Sequence, residues 1–273
     1  MTLRSDRGYG IEIEFFLKRG WGRMQGRQYV NDLLPQYGLA GWRCKYDISV
    51  NYEGLELVSP ILYGEDGLRQ LKTACKMLKD IEAKVDKSCG IHVHHDAREA
   101  EQRMGVTFFK KLYYIYWRFE GTIDSMMPES RRGNNNKYCR SVRTELGPNL
   151  KKFKGIKAMS RLKNFFLNTP MPISQRDWKY CKLNWTSFNR LGSVEFRQHS
   201  GSVEYNKLKH WIIFTSAIIN RAAEDKNLFI PNNSTDNWER LNGCIDLPED
   251  TKKYYLKRIK RFAEQEQPAR QTA

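Results

Sequence analysis

The chain has 273 residues, of which 40% are hydrophobic and 29% charged, a composition typical of a globular protein that can bury a sizeable core. No run of 18 apolar residues occurs, which argues against a transmembrane helix, and the polar N-terminus does not resemble a signal peptide. The net charge of +16 favours anionic partners such as nucleic acid or nucleotide phosphates.

The six cysteines are widely spaced, at positions 44, 75, 89, 139, 181 and 244, and none forms a CxxC pair. This spacing favours free thiols over a disulfide framework. Free thiols are typical of a reducing compartment, so the predicted location is cytoplasmic, without a membrane partner.

The first hundred residues alternate predicted strands with one helix. Residues 8–17 alternate Ile and Glu before turning apolar, which predicts a strand with one polar face. The segment 20–29 is rich in Gly, Arg and Gln and is predicted to be a loop. Further strands are predicted over 42–49 and 53–59, and apolar residues at helical spacing predict a helix over 65–84.

The rest of the chain is predicted to contain two strands and three helices around one long loop. The strands cover 90–95 and 193–199, and the helices cover 108–123, 208–219 and the basic C-terminal segment 251–265. Residues 129–154 carry Gly, Asn and many cations without periodicity, which predicts a loop; long loops within compact domains are often functional.

Polar strands separated by irregularly spaced helices predict an α+β fold. We expect a mainly antiparallel sheet with a functional site on its polar face and helices covering the other face. The main domain is predicted to span residues 1–230, with 231–273 as a basic helical extension that packs on it or is appended to it.

Glu12 and Glu14 lie two residues apart on the first predicted strand, so both side chains point to the same face. Ile11, Ile13 and Phe15 point the other way, toward a core. Neighbouring carboxylates raise each other's pKa unless a cation lies between them. The pair therefore indicates either a metal site or a solvent-facing acidic edge.

His92 and His94 repeat this spacing, while Val93 and His95 take the opposite face. Two imidazoles on one strand face suit a metal or a phosphate. Cys89 lies close enough in sequence to raise the possibility of zinc, but no second cysteine lies at ligand spacing.

Three further acidic residues accompany these pairs. Glu195 and Arg197 lie two residues apart on a predicted strand and so share one face. They could form a structural salt bridge, or Glu195 could bind a metal while Arg197 holds a phosphate. Glu56 lies in an apolar run and needs a partner, and Asp47 lies on the neighbouring strand. Several glutamates with one or two histidines favour Mg²⁺ or Mn²⁺. No P-loop or GxGxxG motif occurs, so phosphates would be held in another way.

Six short segments, in chain order, resemble a known family: GIEIE (10–14), DIS (47–49), GLELVSP (54–60), CGIHVHH (89–95), RRGNNNKYC (131–139) and VEFRQHSGS (194–202). The chain resembles the amidoligases of the carboxylate–amine ligase superfamily, which includes glutamine synthetase and glutamate–cysteine ligase. The resemblance implies a curved, mainly antiparallel sheet, a half-barrel of glutamine synthetase catalytic-domain type. The site would lie on the concave face and helices on the convex face.

The resemblance also implies a set of metal ligands: Glu12, Glu14, Glu56, His92 and Glu195. Glu12 and Glu14 would bind two different ions. In the same resemblance, His94 would face the ATP phosphates or the acyl group and Arg197 the transferring phosphate, while Asp47 would bind metal or face the amine. The cations expected to face the nucleotide are Arg131, Arg132, Arg140 and Arg143.

These roles imply an ADP-forming ligase that uses ATP with Mg²⁺ or Mn²⁺. A substrate carboxylate would be phosphorylated to an acyl phosphate, and an amine would then displace phosphate to form a peptide or isopeptide-like amide bond.

The basic excess is greater than ATP alone requires. Residues 131–163 contain eleven basic residues and one acid, so a substrate on an acidic peptide or on a nucleic-acid-linked group stays open, as does direct nucleic-acid contact. Two other functions compete with the ligase: a metal-dependent nuclease, which would need no ATP, and an inactive relative that binds nucleic acid. The complete ExE, HxH and ExR pairs favour the ligase.

Overall fold

The computed structural model describes residues 3–18, 22–224 and 236–266. Six strands form an open antiparallel sheet in the order β2-β3-β1-β4-β6-β5. They are β1 (Tyr9–Phe15), β2 (Arg43–Tyr46), β3 (Leu55–Val58), β4 (Gly90–Asp96), β5 (Leu183–Asn184) and β6 (Ser193–Ser200). The sheet and the mixed α and β class are as predicted, and the half-barrel curvature stays a prediction.

Eleven α-helices lie in the described ranges. They are α1 (Arg23–Leu33), α2 (Gly64–Asp80), α3 (Arg98–Met104), α4 (Val106–Ser125), α5 (Val142–Leu146), α6 (Leu150–Lys154), α7 (Met159–Leu167), α8 (Thr186–Leu191), α9 (Tyr205–Ala222), α10 (Trp238–Cys244) and α11 (Glu249–Glu266). Along these ranges, no helix combines the length and the apolar character needed to cross a membrane.

Two compact units divide the chain. Of the described residues, the sheet unit comprises those of Leu3–His95 and Arg197–Ile212. The helical unit comprises Asp96–Phe196 with the described residues 213–224 and 236–266. Each unit is therefore built from segments that are not contiguous in the sequence. The predicted domain boundary at residue 230 lies outside the described residues and stays a prediction.

The core of the sheet unit follows from the period-two pattern of its strands. Ile13 of β1 lies opposite Leu57 of β3 and Ile91 of β4, and all three side chains are fully buried. Fully burying such a side chain contributes about 1.5–3 kcal/mol. This apolar face fixes the register, because a slip of one residue would turn every apolar side chain to the opposite face.

The helical unit has a core of packed aromatic rings. Phe166 stacks on Trp185 with ring centroids 5.3 Å apart and packs edge-on against Trp178 at 5.2 Å. Beside them Lys182 is completely buried, with its Nζ 2.7 Å from Glu120 and 2.6 Å from Asp124 of α4. Two carboxylates around one ammonium make this burial tolerable.

Two predicted loops are partly helical. Residues 20–29 were expected to form a loop, but α1 begins at Arg23, because buried Val30 and Leu34 anchor a segment of good helix formers. Asn31 of α1 also exchanges two hydrogen bonds with the backbone of Cys44, at 2.9 and 3.1 Å, and so covers the edge of β2.

The predicted loop 129–154 contains α5 and α6. The Ser141 side chain caps α5 by accepting a hydrogen bond from the Thr144 backbone N–H at 3.0 Å. Leu146 and Phe153 are buried, so these short helices are held by tertiary packing rather than by periodicity.

Candidate metal centre

The register of β1 against its two neighbours brings the predicted acidic and imidazole groups together. Glu12 lies directly opposite His92 of β4, and Glu14 lies directly opposite Glu56 of β3. Cross-strand neighbours have their Cβ atoms only about 4.5–5.5 Å apart. Three strands of the sheet unit therefore project these side chains onto one face, opposite the apolar core.

Carboxylates and imidazoles alternate across this face. His92 Nδ1 lies 3.1 Å from Glu12 Oε2, and His92 Nε2 lies 3.3 Å from Glu14 Oε1. His94 Nε2 lies 3.5 Å from Glu12 Oε1. Glu14 and His92 are buried, while Glu12 and His94 are half-buried, so the cluster extends from the interior toward solvent.

Hydrogen bonds hold two of the carboxylates in place. The Gly90 N–H donates to Glu14 Oε2 at 2.5 Å. Asp47 Oδ1 accepts two hydrogen bonds from Ser49, one from its backbone N–H at 2.7 Å and one from its hydroxyl at 2.6 Å. A Cβ atom at Gly54 would lie 2.7 Å from the Asp47 carbonyl oxygen, so this tight turn requires glycine.

Within the sheet unit, two groups of three described residues could each hold a cation. In Glu12, Glu56 and His92, and again in Glu14, Asp47 and Glu56, the potential ligand atoms all lie within 4.8 Å of one another. Glu56 belongs to both groups. Oxygen-rich sets with one imidazole suit Mg²⁺ or Mn²⁺ better than a thiolate-seeking metal.

The pKa values of the cluster show unbalanced charge. Burial, together with the charges of Glu12, Asp47 and Glu14, raises the pKa of Glu56 to about 9. Burial would also raise the pKa of Glu12, but hydrogen bonds and charge from His92 and His94 outweigh it and lower that pKa below its usual range. The histidine neighbours thus favour the ionised form of Glu12, whereas the acidic neighbours of Glu56 favour its protonated form unless a cation lies among them.

A histidine that binds metal through one ring nitrogen commonly donates a hydrogen bond through the other. His92 has a carboxylate beside each ring nitrogen. If one nitrogen binds a metal, the carboxylate beside the other nitrogen can still hold the ring in place. By contrast, His95 points to the core face, where burial lowers its pKa to about 3. The predicted division of the three histidines between two faces is therefore confirmed.

Glu195 and Arg197 lie on β6. Glu195 is buried in the helical unit, and its Oε2 accepts a hydrogen bond from Asn184 Nδ2 at 2.6 Å. Asn184 is in turn oriented by the Thr186 N–H and hydroxyl, at 2.8 and 2.7 Å. Arg197 is half-buried and belongs to the sheet unit. Their predicted roles as metal ligand and phosphate clamp stay predictions.

The four arginines predicted to face a nucleotide lie in the helical unit. Arg131 is buried. Arg132, Arg140 and Arg143 each donate a guanidinium hydrogen bond to a backbone carbonyl, at 2.7, 3.1 and 3.1 Å. These contacts restrain the guanidinium groups, and the nucleotide role stays a prediction.

Two supporting groups were not recognised in the sequence. The Gly90 N–H that holds Glu14 comes from the backbone, which has no side-chain signal. Asn184 lies on a strand of two residues, too short for an alternating pattern. Both act through residues distant in sequence, so only the tertiary fold reveals them.

Residues 39–219 match the model of a family described as "putative amidoligase enzyme". The matched residues include Asp47, Glu56, His92 and the motif of β6, whereas Glu12 and Glu14 precede them. No curated protein sequence matches the chain. Since the family match covers well over half of the chain, this chain belongs to the amidoligase family so described.

Proposed function

We propose that this protein is an ATP-dependent carboxylate–amine ligase that uses Mg²⁺ or Mn²⁺ and forms a peptide or isopeptide-like amide bond. Family membership supports the reaction class. The observation that carries the cofactor requirement is the pair of three-residue groups that share Glu56. Phosphoryl transfer depends on cations that neutralise charge around the phosphates.

The residues present fit two divalent cations. One ion would be held by Glu12, Glu56 and His92 and the other by Glu14, Asp47 and Glu56, which agrees with the expectation that Glu12 and Glu14 serve different ions. Bound ions would supply charge neutralisation for the phosphates. They would also offset the repulsion that raises the pKa of Glu56. Glu195 is proposed as a further ligand on the strength of the family resemblance.

The reaction is proposed to have two steps. A substrate carboxylate oxygen attacks the γ-phosphorus of ATP, the bond to the β-phosphate oxygen breaks, and ADP leaves. An amine nitrogen then attacks the acyl carbon, the carbon–oxygen bond to phosphate breaks, and the nitrogen loses a proton.

Side chains beside the carboxylates are proposed to position the reactants. Arg197 would contact the transferring phosphate through two parallel hydrogen bonds. His94 is only 13% exposed and its Nε2 lies 3.5 Å from Glu12 Oε1; its proposed role is to contact a phosphate or acyl oxygen. Arg131, Arg132, Arg140 and Arg143 are proposed to act on the nucleotide.

The experiment that tests this function measures ligand binding before any substrate is known. ATP is titrated calorimetrically into the purified chain with and without Mg²⁺, and bound Mn²⁺ is counted by electron paramagnetic resonance. We expect Mg²⁺-dependent ATP binding and two Mn²⁺ ions per chain. Both should be lost in Glu56→Gln.

Glu65→Gln is the matched control. Glu65 is an exposed carboxylate of the sheet unit in the first turn of α2, so the variant removes the same charge outside the cluster and should bind like the wild type. Absence of ATP binding by the wild type would refute the ligase. Mg²⁺-dependent cleavage of nucleic acid without ATP would favour the nuclease instead.

A further inference from the structure

A cavity lies in the helical unit, bounded by α4 on one side and by α6 with the segment before it on the other. Its volume is about 280 Å³. Its apolar wall includes Tyr114, Leu150 and Phe153, and its cations are Lys110, Lys111 and Lys154. All of these residues belong to the helical unit, so the cavity is separate in composition from the metal centre.

The lysines bring positive charge to an apolar pocket. Lys110 Nζ donates to the Ile156 carbonyl oxygen at 3.1 Å, which holds the ammonium in place but leaves two of its three N–H donors for a ligand. Lys154 Nζ lies 4.9 Å from the centre of the Tyr114 ring. Lys154 is exposed, so it can leave the ring when a ligand enters.

The surface next to the cavity has the same charge. No Asp or Glu occurs from residue 146 to residue 176, while this stretch contains seven Lys and Arg residues. Lys151, Lys152 and Lys157 are exposed, and so extend the basic surface beyond the rim. Clustered cations without interspersed acids attract polyanions.

Tyr114 provides a fixed aromatic surface. Its ring stacks on Trp117 at an interplanar angle of 14° with centroids 6.0 Å apart. Base–aromatic stacking tolerates every base because each base has a π-face, and proteins that bind single strands combine it with a basic groove for the phosphates. The helical unit has an aromatic ring and a basic surface side by side.

We propose that this cavity and the adjacent basic surface bind single-stranded nucleic acid. One base enters the cavity against Tyr114, Leu150 and Phe153, and the flanking phosphates contact Lys110 and Lys154. An acidic peptide would satisfy the lysines but would gain little from the apolar wall, because its carboxylates must stay hydrated or paired. The proposal does not depend on the ligase activity.

The test is fluorescence anisotropy of a labelled oligothymidylate of about twelve nucleotides, within the site sizes known for single-strand binders. The full chain is titrated in EDTA without ATP. Lys110→Gln/Lys154→Gln should reduce the salt slope of log K by about 1.4, because each phosphate contact on a single strand contributes about 0.7. The charge-matched control is Lys253→Gln/Lys257→Gln, which alters two exposed lysines of α11.

Two substitutions of Tyr114 test base insertion. Tyr114→Leu should weaken binding about fivefold or more, since one stacked base contributes about 1–3 kcal/mol and 1.4 kcal/mol is tenfold. Tyr114→Phe keeps the ring and should bind nearly like the wild type. Thermal unfolding of each variant, followed by circular dichroism, checks that the fold is retained.

Three outcomes would overturn the proposal. If the two lysine double variants lost the same amount of oligonucleotide affinity, only the net charge of the protein would matter. Polyglutamate that binds as tightly as the oligonucleotide, with the same dependence on Lys110 and Lys154, would identify a surface for acidic peptides. Binding lost in Glu56→Gln but kept in Tyr114→Leu would assign the strand to the metal centre. If the metal centre fails its own test, retained oligonucleotide binding still supports this site.

Discussion

Replacing Glu56 by glutamine distinguishes a metal centre from a buried network of ion pairs. Among the described residues of the sheet unit, Glu56 is the only one common to the two three-residue groups that lie within that unit. Two ionised carboxylates at the limiting separation of 4.8 Å repel each other by about 3.5 kcal/mol at an effective dielectric constant of about 20. Glu56 has three such neighbours, so without a cation it is mostly protonated at neutral pH.

The metal-free protein should therefore tolerate Glu56→Gln well. At pH 7 the substitution exchanges a neutral carboxylic acid for an amide of similar size, and we expect stability to change by less than about 1 kcal/mol. The pH dependence should differ. The pKa of Glu56 is raised from 4.5 to about 9, so the folded wild type retains a proton that the unfolded chain releases. Its stability should fall as the pH rises through that window, relative to the variant.

The metal-bound protein should respond in the opposite way. Losing a partner outside the ligand shell weakens metal affinity by about 10–100-fold, so loss of a shared ligand should cost at least about 100-fold. At a metal concentration of about 100 times the wild-type Kd, each bound ion stabilises the wild type by about 2.7 kcal/mol and the variant by only about 0.4 kcal/mol. In a chain of this size the Tm shift for each ion should drop from about 5–10 °C to about 1 °C.

The assay is thermal unfolding across a Mn²⁺ titration, with Glu65→Gln as control. A metal-induced Tm shift that survives in Glu56→Gln would refute the shared-ligand geometry. A large loss of stability in the metal-free variant would show instead that Glu56 is a structural partner within an ion-pair network.

Four further substitutions test other contacts. Arg197→Lys should slow ADP formation by about tenfold or more, because the planar contact of the guanidinium with the phosphate is lost. Turnover at the wild-type rate in this variant would exclude a phosphate clamp. Glu195→Gln should also lower turnover, with little change in Tm. Lys182→Met should destabilise the fold by about 3–5 kcal/mol in urea titrations, since it leaves buried Glu120 and half-buried Asp124 without their cation. Gly201→Ala should cost about 1–3 kcal/mol, because the added Cβ would lie 2.4 Å from Cys89 Cβ; an unchanged urea midpoint would contradict this packing.

Alternation explains why the strands that carry the candidate site residues could be predicted. β1, β4 and β6 each carry polar groups at every second position, and a period of two places those groups on one face whatever the tertiary context. α1 was not predicted because its apolar contacts are few, and α5 and α6 are too short for a helical period. Tertiary burial, which has no local signature, stabilises all three.

The sequence by itself determined which side chains share a strand face: Glu12 with Glu14 and His92 with His94. Only the tertiary structure decided that Glu12 lies opposite His92 and Glu14 opposite Glu56, because register depends on how the apolar faces of three strands pack together. It also decided that Glu56 belongs to two ligand groups at once. Local pattern is set by bonded geometry within one strand, whereas a shared ligand requires atoms far apart in the chain to meet.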